Sequence, residues 1–130
     1  MALGKHFLRI LFAVLLASVA GCAATTDTPL PKNQDDLKQI HEIYQHFVKS
    51  QEKPPGEVSD LTQRQYERIH PGTVKALQDG KYLVVFGITA KDAGTVLAYE
   101  KDAPVQGGTV IMADGSVKTV TADEFKAAKR

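Results

Sequence analysis

This sequence has little cysteine, no tryptophan and almost no net charge. Its 130 residues contain one cysteine and no tryptophan, and 16 Lys plus Arg stand against 15 Asp plus Glu. A single cysteine excludes an internal disulfide and leaves a structural zinc site dependent on His and carboxylate ligands. The balance of charge provides neither a basic field for nucleic acid nor an acidic tail. We therefore expect one small domain that does not bind nucleic acid.

The one long apolar run lies at the N-terminus. Lys5 and Arg9 precede the apolar residues 10–20, and the small residues Ala20 and Gly21 follow. A helix of that length would reach roughly 16 Å, against about 30 Å of hydrocarbon in a bilayer. The pattern predicts a cleaved secretory signal and not a stable membrane span.

The sole cysteine, Cys22, lies where a signal peptidase would cut. The run Val19-Ala20-Gly21-Cys22 resembles the bacterial lipobox. The resemblance implies cleavage before Cys22, acylation of its thiol and anchoring of the mature chain to a membrane. Ala23 follows in place of Asp, which in double-membrane bacteria implies the outer membrane, with the domain in the periplasm. An ordinary cleaved signal with a free Cys22 thiol is the alternative.

Three segments follow from this interpretation. Residues 1–21 are predicted to be the lipoprotein signal peptide, residues 22–33 an acylated tether, and residues 34–130 the folded domain. The tether is rich in small and polar residues and contains Pro29 and Pro31, a composition that cannot bury a core.

Residues 34–50 show the clearest helical pattern. Asn33 is predicted to cap the first turn, and Asp35 and Asp36 lie where the helix dipole favours anions. A breaker at residues 54–56 ends the segment. The apolar side chains recur on one face of a helix and are Leu37, Ile40, Ile43, Tyr44, Phe47 and Val48.

Weaker patterns predict two further helical segments before the sequence pattern changes from helical to strand-like. Residues 58–69 permit a short helix capped by Ser59 or Asp60, and residues 73–78 a brief helical turn. Both are closed by turn residues, at 70–72 and 79–80 respectively.

Four β-strands are predicted in the second half, at residues 82–88, 95–100, 109–113 and 116–120. Asp114-Gly115 predicts a two-residue type I′ hairpin, which needs positive φ at both residues. Thr121 is predicted to cap a terminal helical turn whose Phe125 folds back on the sheet. The expected fold is α+β, with an N-terminal amphipathic helix packed on a four-stranded antiparallel sheet in two layers.

Two runs carry a further resemblance. DLKQIHEIYQHFVKSQEKPP is similar to the region of type II secretion pseudopilin-like proteins that follows their membrane-embedded half-helix, and VLAYEKDAPVQGGTVIMADGSVKTVTADEF is similar to the sheet end of prepilin-like proteins. The resemblance implies a pseudopilin-like fold in the cell envelope. Filament assembly is not carried over, because the residues after Gly4 lack the Glu of pseudopilins and Pro104 replaces a His of the prepilin tail.

Side chains suited to catalysis do not form a motif in the mature chain. His41 and His46 point about 140° apart on a helix, so they cannot share a metal. Glu42 and His46, four residues apart, are predicted to form an exposed ion pair. No nucleophile elbow or phosphate loop occurs in the sequence. We therefore expect no enzymatic activity, no catalytic residue and no cofactor.

Two functions remain open. The first is a non-enzymatic, lipid-anchored envelope protein that docks to secretion or other envelope components. The alternative is a lipid-tethered module that binds a small ligand or calcium at the loop end of its sheet. Asp92, Asp102 and Asp114 are the candidate calcium ligands, although no dense acidic loop supplies the six to eight oxygens that calcium prefers. The first function predicts no metal site.

Overall fold

A computed structural model describes residues 31–130. The predicted signal peptide, the acylation site Cys22 and most of the predicted tether lie outside the described residues. The described elements, in chain order, are α1 (Lys32–Gln51), α2 (Val58–Leu61), α3 (Arg64–Ile69), α4 (Pro71–Gln78), β1 (Tyr82–Val84), a 3-10 turn (Ala90–Asp92), β2 (Val96–Glu100), α5 (Ala103–Gln106), β3 (Gly108–Met112), β4 (Val117–Val120) and α6 (Ala122–Ala127).

Helix α1 confirms the predicted amphipathic helix and corrects its start. The helix begins at Lys32, and the residue at its N-cap position, Pro31, makes no side-chain capping bond. The predicted cap Asn33 is therefore wrong, because this residue lies inside the helix. Its side-chain amide instead donates to the hydroxyl of Thr109 (2.9 Å) and to the carboxylate of Glu100 (3.3 Å). Those contacts fasten the first turn of α1 to strands β2 and β3.

The segment predicted as one helix over residues 58–69 forms two, α2 and α3. Glu57 caps α2, and the carboxylate of Asp60 accepts back from the backbone of Glu57, which completes a capping box. The predicted caps Ser59 and Asp60 are therefore wrong, because both residues lie inside α2. The predicted turn over residues 73–78 is confirmed as α4, which begins at Pro71.

The sheet is antiparallel throughout, with strand order β1-β2-β3-β4, as predicted. Strand β1 is shorter than expected. It covers Tyr82–Val84, and the chain then bends through Gly87, which has a φ of 76° and donates its N–H to the carbonyl of Pro55. The contact with the segment before α2 therefore ends β1 earlier than the run of β-branched residues indicates.

The hairpin between β3 and β4 differs from the predicted type I′ turn. Gly115 has a φ of 87°, whereas Asp114 does not have a positive φ. The N–H of Gly115 donates to the carbonyl of Met112 (2.9 Å), and the N–H of Met112 donates to the carbonyl of Ser116 (2.8 Å). The loop therefore has three residues, with the last in the left-handed region, which is the common three-residue hairpin.

Two apolar clusters lie on opposite faces of the sheet, so the predicted two-layer arrangement is incomplete. Ile111 belongs to the cluster under α1, whereas its neighbours Val110 and Met112 belong to a smaller cluster with Phe125 of α6. Consecutive strand residues point to opposite faces. Phe125 folds back on the sheet as predicted, and Thr121 caps α6. Helices α5 and α6 thus form a third, small layer.

A bulge in β2 serves both clusters. Val96 pairs with Met112 and Ala98 pairs with Ile111, so β2 contributes one extra residue, Leu97, at this point. Leu97 and Ala98 both join the α1 cluster, and Val96 joins the α6 cluster. Among residues 31–130, no helix is long and apolar enough to cross a membrane.

Candidate functional site

A groove lies between α1 and α3. Its volume is about 270 Å³. Ile43 and Tyr66 are almost fully buried beneath it, whereas Ile69 is 69% exposed at its edge. The lining is mainly apolar and comprises Glu42, Ile43, His46, Gln65, Tyr66, Ile69 and His70. Helix α1 provides one wall because its apolar stripe ends at this edge, and α3 provides the other.

His46 and Tyr66 hold the two walls together. The Tyr66 hydroxyl lies 3.0 Å from Nδ1 of His46, and the two rings meet edge to face with centroids 5.5 Å apart. Burial raises the pKa of the Tyr66 hydroxyl above its ordinary value. The hydroxyl therefore keeps its proton at neutral pH and can donate it to the imidazole nitrogen.

Glu42 contacts His70 and not the predicted partner His46. The carboxylate of Glu42 lies 3.7 Å from Nε2 of His70, which directly precedes α4. The predicted Glu42–His46 ion pair is therefore wrong. His46 instead bonds the hydroxyl of Tyr66 on α3. Residue spacing within α1 cannot predict this contact, because the partner lies on another helix.

The polar side chains of the groove are the carboxylate of Glu42, the imidazoles of His46 and His70, the amide of Gln65 and the hydroxyl of Tyr66. Its side chains include no Ser, Thr, Cys or Lys nucleophile. Across residues 31–130, no group of three or more His, Cys, Asp and Glu side chains is placed to hold a metal ion. The arrangement can accept an apolar side chain of a partner. The carboxylate and the two imidazoles can bond polar groups of the same partner.

The three candidate calcium ligands do not come together. In an antiparallel meander, consecutive connections lie at opposite ends of the sheet, so Asp102, in the β2–β3 connection, is separated from Asp92 and Asp114. Asp92 accepts from the backbone and hydroxyl of Thr89, and these bonds lower its pKa. The expectation that all three carboxylates gather at one loop end is therefore wrong.

Asp114 has a structural explanation in the hairpin. Its carboxylate accepts from the hydroxyl (2.6 Å) and the backbone N–H (2.9 Å) of Ser116. The same two bonds, with the hydroxyl bond first, lower the pKa of Asp114. The hairpin thus gives this carboxylate two hydrogen-bond partners within the turn.

His41 lies at the same hairpin and not in the groove. Its Nε2 is 3.2 Å from the carbonyl oxygen of Ala113, and a Cβ placed on Gly115 would come within 3.1 Å of its ring. The three histidines of the described residues therefore serve separate contacts: His41 the hairpin, His46 the Tyr66 hydroxyl, and His70 the Glu42 carboxylate.

A buried polar cluster around Asp36 was missed by the helix-dipole interpretation. Asp36 is 5% exposed, and its carboxylate accepts from the hydroxyl of Tyr82 (2.9 Å) and lies 3.9 Å from the ammonium of Lys81. Thr73 on α4 approaches the other carboxylate oxygen at 3.5 Å. The cluster joins α1 to α4 and to β1, so we assign Asp36 to the packing of these elements.

Comparison with protein-family profiles, with curated proteins and with solved structures gave no match to this chain. Function therefore rests on the sequence and on the geometry described above.

Proposed function

We propose that this chain is a non-enzymatic, lipid-anchored envelope protein whose domain docks to secretion or other envelope components. The observation that carries the proposal is the short distance between a lipobox-like run and the start of the fold. Cys22 is the only cysteine, and α1 begins at Lys32, ten residues later. A chain attached at Cys22 keeps its domain next to a membrane.

The finer fold is proposed to be pseudopilin-like. The support is a 20-residue helix, α1, that packs on an antiparallel sheet whose last hairpin contains Asp114-Gly115. The order of these elements follows the order of the two resembling runs in the sequence.

A docking role is favoured over catalysis by the groove between α1 and α3. It combines an apolar lining with an exposed Ile69 and has no Ser, Thr, Cys or Lys side chain in its lining. A partner side chain that covered Ile69 would remove apolar surface from water, at about 25 cal/mol per Å².

The anchor is tested by replacing the thiol. Cys22→Ser should abolish acylation and move the protein from the membrane fraction to an uncut or soluble form, because acylation needs the thiol. Mass spectrometry of the mature N-terminus and fractionation of the envelope report the two effects. An unchanged membrane fraction in Cys22→Ser would contradict the lipoprotein proposal.

The docking role is tested by crosslinking in the intact envelope. A photoreactive side chain introduced at Ile69 should capture a defined partner protein, whereas the same side chain at Gln45, exposed on another face of α1, should not. Identical products at both positions, or none at Ile69, would contradict a docking role for the groove.

A further inference from the structure

We propose that the end of the sheet formed by the β2–β3 connection, residues 101–107, lies against the lipid bilayer, with Val105 as the contacting side chain. The inference rests on the proposed acylation of Cys22 and adds to it an orientation of the domain. We call these residues the membrane-facing end.

The described chain enters the fold at this end of the sheet. Pro31 directly precedes α1, and the amide of Asn33 contacts both Glu100, the last residue of β2, and Thr109, at the start of β3. The backbone N–H of Thr109 also donates to the carboxylate of Glu100 (2.6 Å). The first turn of α1 is therefore fixed beside the β2–β3 connection.

Helix α1 then runs along the sheet towards the opposite end. His41 contacts the carbonyl of Ala113 in the β3–β4 hairpin, and Tyr44 bonds the backbone of Ile88 in the β1–β2 connection. A rise of about 1.5 Å per residue carries α1 roughly 12 Å between Asn33 and His41, close to the length of β3. Both remaining connections thus lie away from the point of attachment.

The linking peptide is short relative to the domain. Ten residues, from Cys22 to Pro31, separate the acylation site from α1. Chain statistics give ten residues an average end-to-end distance of roughly 17 Å. A domain of about 100 residues has a radius of gyration of roughly 13 Å and so a diameter near 30 Å. The attached end therefore stays nearer to the bilayer than the hairpin end.

Val105 suits a lipid contact. It is 84% exposed, the most exposed of the large hydrophobic side chains described. Ala103, in the same short helix α5, is fully buried, so Val105 is held on a fixed backbone and not on a loose loop. Exposed Lys101 and Asp102 adjoin it with opposite charges, so the contact does not require anionic lipid.

The experiment uses depth-dependent fluorescence in the full, acylated chain. Acylation consumes the only native thiol, so a single introduced cysteine can be labelled alone. Val105→Cys places the probe at the membrane-facing end. Ala93→Cys is the matched control, because Ala93 is exposed in the β1–β2 connection at the opposite end. Each labelled protein is reconstituted in phosphatidylcholine vesicles with and without a lipid-borne quencher.

The probe at position 105 should be quenched several-fold more than the probe at position 93, and its emission should shift to shorter wavelength on reconstitution. Equal quenching at both positions, or stronger quenching at position 93, would overturn the proposed orientation. Mass spectrometry of the same samples reports acylation, so a chain without lipid at Cys22 would contradict the proposed function and would be recognised separately.

A longer linker tests the cause. Insertion of a Gly/Ser segment after Ala24 leaves the domain and Cys22 unchanged and should reduce the difference in quenching between the two positions. A difference that survives the insertion unchanged would contradict the argument from linker length.

Discussion

At the scale of single residues, glycines with positive φ show where the backbone rather than the side chain decides the fold. Gly80 has a φ of 71° and follows α4, where its N–H and that of Lys81 bond the carbonyls of Leu77 and Ala76. This is the Schellman arrangement. Gly115 has a similar φ but also packs against the His41 ring. Substitutions at the two glycines therefore distinguish the cost of a left-handed backbone from the cost of a side-chain clash.

Gly115→Ala should destabilise the domain more than Gly80→Ala. A Cβ at Gly80 meets nothing within 4 Å, so its cost is the left-handed conformation alone, roughly 1–2 kcal/mol. A Cβ at Gly115 also approaches His41 at 3.1 Å. Urea unfolding measures both values. Removal of the ring in His41→Ala should reduce the excess, and an excess that persists would exclude the ring as its source.

Asp114→Ala should lower the melting temperature by the same amount in calcium and in chelator, because the two hydrogen bonds from Ser116 are lost in both media. The pKa of Asp114 is lowered in the folded protein. Its carboxylate therefore stabilises the fold at pH values above the ordinary pKa of an aspartate, and this stabilisation is lost as the pH falls through the lowered pKa. Thermal melts in both media are the measurement. A wild-type gain in calcium that disappears in Asp114→Ala would restore the ligand-binding alternative.

At the scale of elements, the confirmed predictions come from local periodicity. The stripe of α1 needs only the spacing of its apolar residues, and the predicted cap of α6 needs only Thr121 directly before the helix. Boundaries set by distant contacts were not predictable in this way. Asn33 lies inside α1 because its partners are on β2 and β3, and β1 ends early because Gly87 contacts Pro55.

The groove was missed for the same reason. Each histidine in it is held by a partner on another element, Tyr66 for His46 and Glu42 for His70. No spacing within α1 reveals either contact. The one signal in the sequence was the small number of apolar residues in the segment 58–69. Such a segment buries little apolar surface, and Ile69 is in fact exposed.

Phe47→Ala tests the packing of α1. The ring is 3% exposed and belongs to the cluster between α1 and the sheet, so its removal should cost about 3–5 kcal/mol. Gln45→Ala, exposed on the same helix, should stay within about 0.5 kcal/mol of wild type. Denaturant unfolding compares the two. A loss below about 1 kcal/mol in Phe47→Ala would contradict the packing described for α1.

At the scale of the whole molecule, three tyrosines join separate elements through buried hydroxyls. Tyr44 bonds the backbone of Ile88, Tyr66 bonds His46, and Tyr82 bonds Asp36. Burial is the largest cause of a raised pKa in all three, and for Tyr82 the bond to Asp36 adds to it. Their protonated hydroxyls therefore couple α1 to α3, to β1 and to the β1–β2 connection.

Stability should fall as the pH rises above about 10, the ordinary pKa of tyrosine. A folded-state pKa above the unfolded value means that the folded chain binds more protons at alkaline pH, so the stabilising effect is complete below that pH and is lost above it. Tyr82→Phe should flatten this alkaline loss and, at neutral pH, cost about 1–3 kcal/mol because Asp36 loses a donor. Urea unfolding between neutral and alkaline pH measures both.

Tyr99→Phe is the matched control, since its ring packs edge-on against Phe125 in the smaller cluster. An alkaline loss that is as steep in Tyr82→Phe as in Tyr99→Phe would show that the hydroxyl of Tyr82 is not the responsible group.

The course of α1 along the sheet also determines the order in which the chain can fold. Asn33 bonds Thr109, 76 positions later, and His41 contacts Ala113, 72 positions later. By contrast, β1, β2 and β3 each pair with the strand that follows next in the chain. Contacts of long sequence separation form slowly because the intervening loop must close first. A chain that crosses a membrane N-terminus first would thus expose α1 without its partners until nearly all of the domain had emerged, and would remain competent for translocation until then.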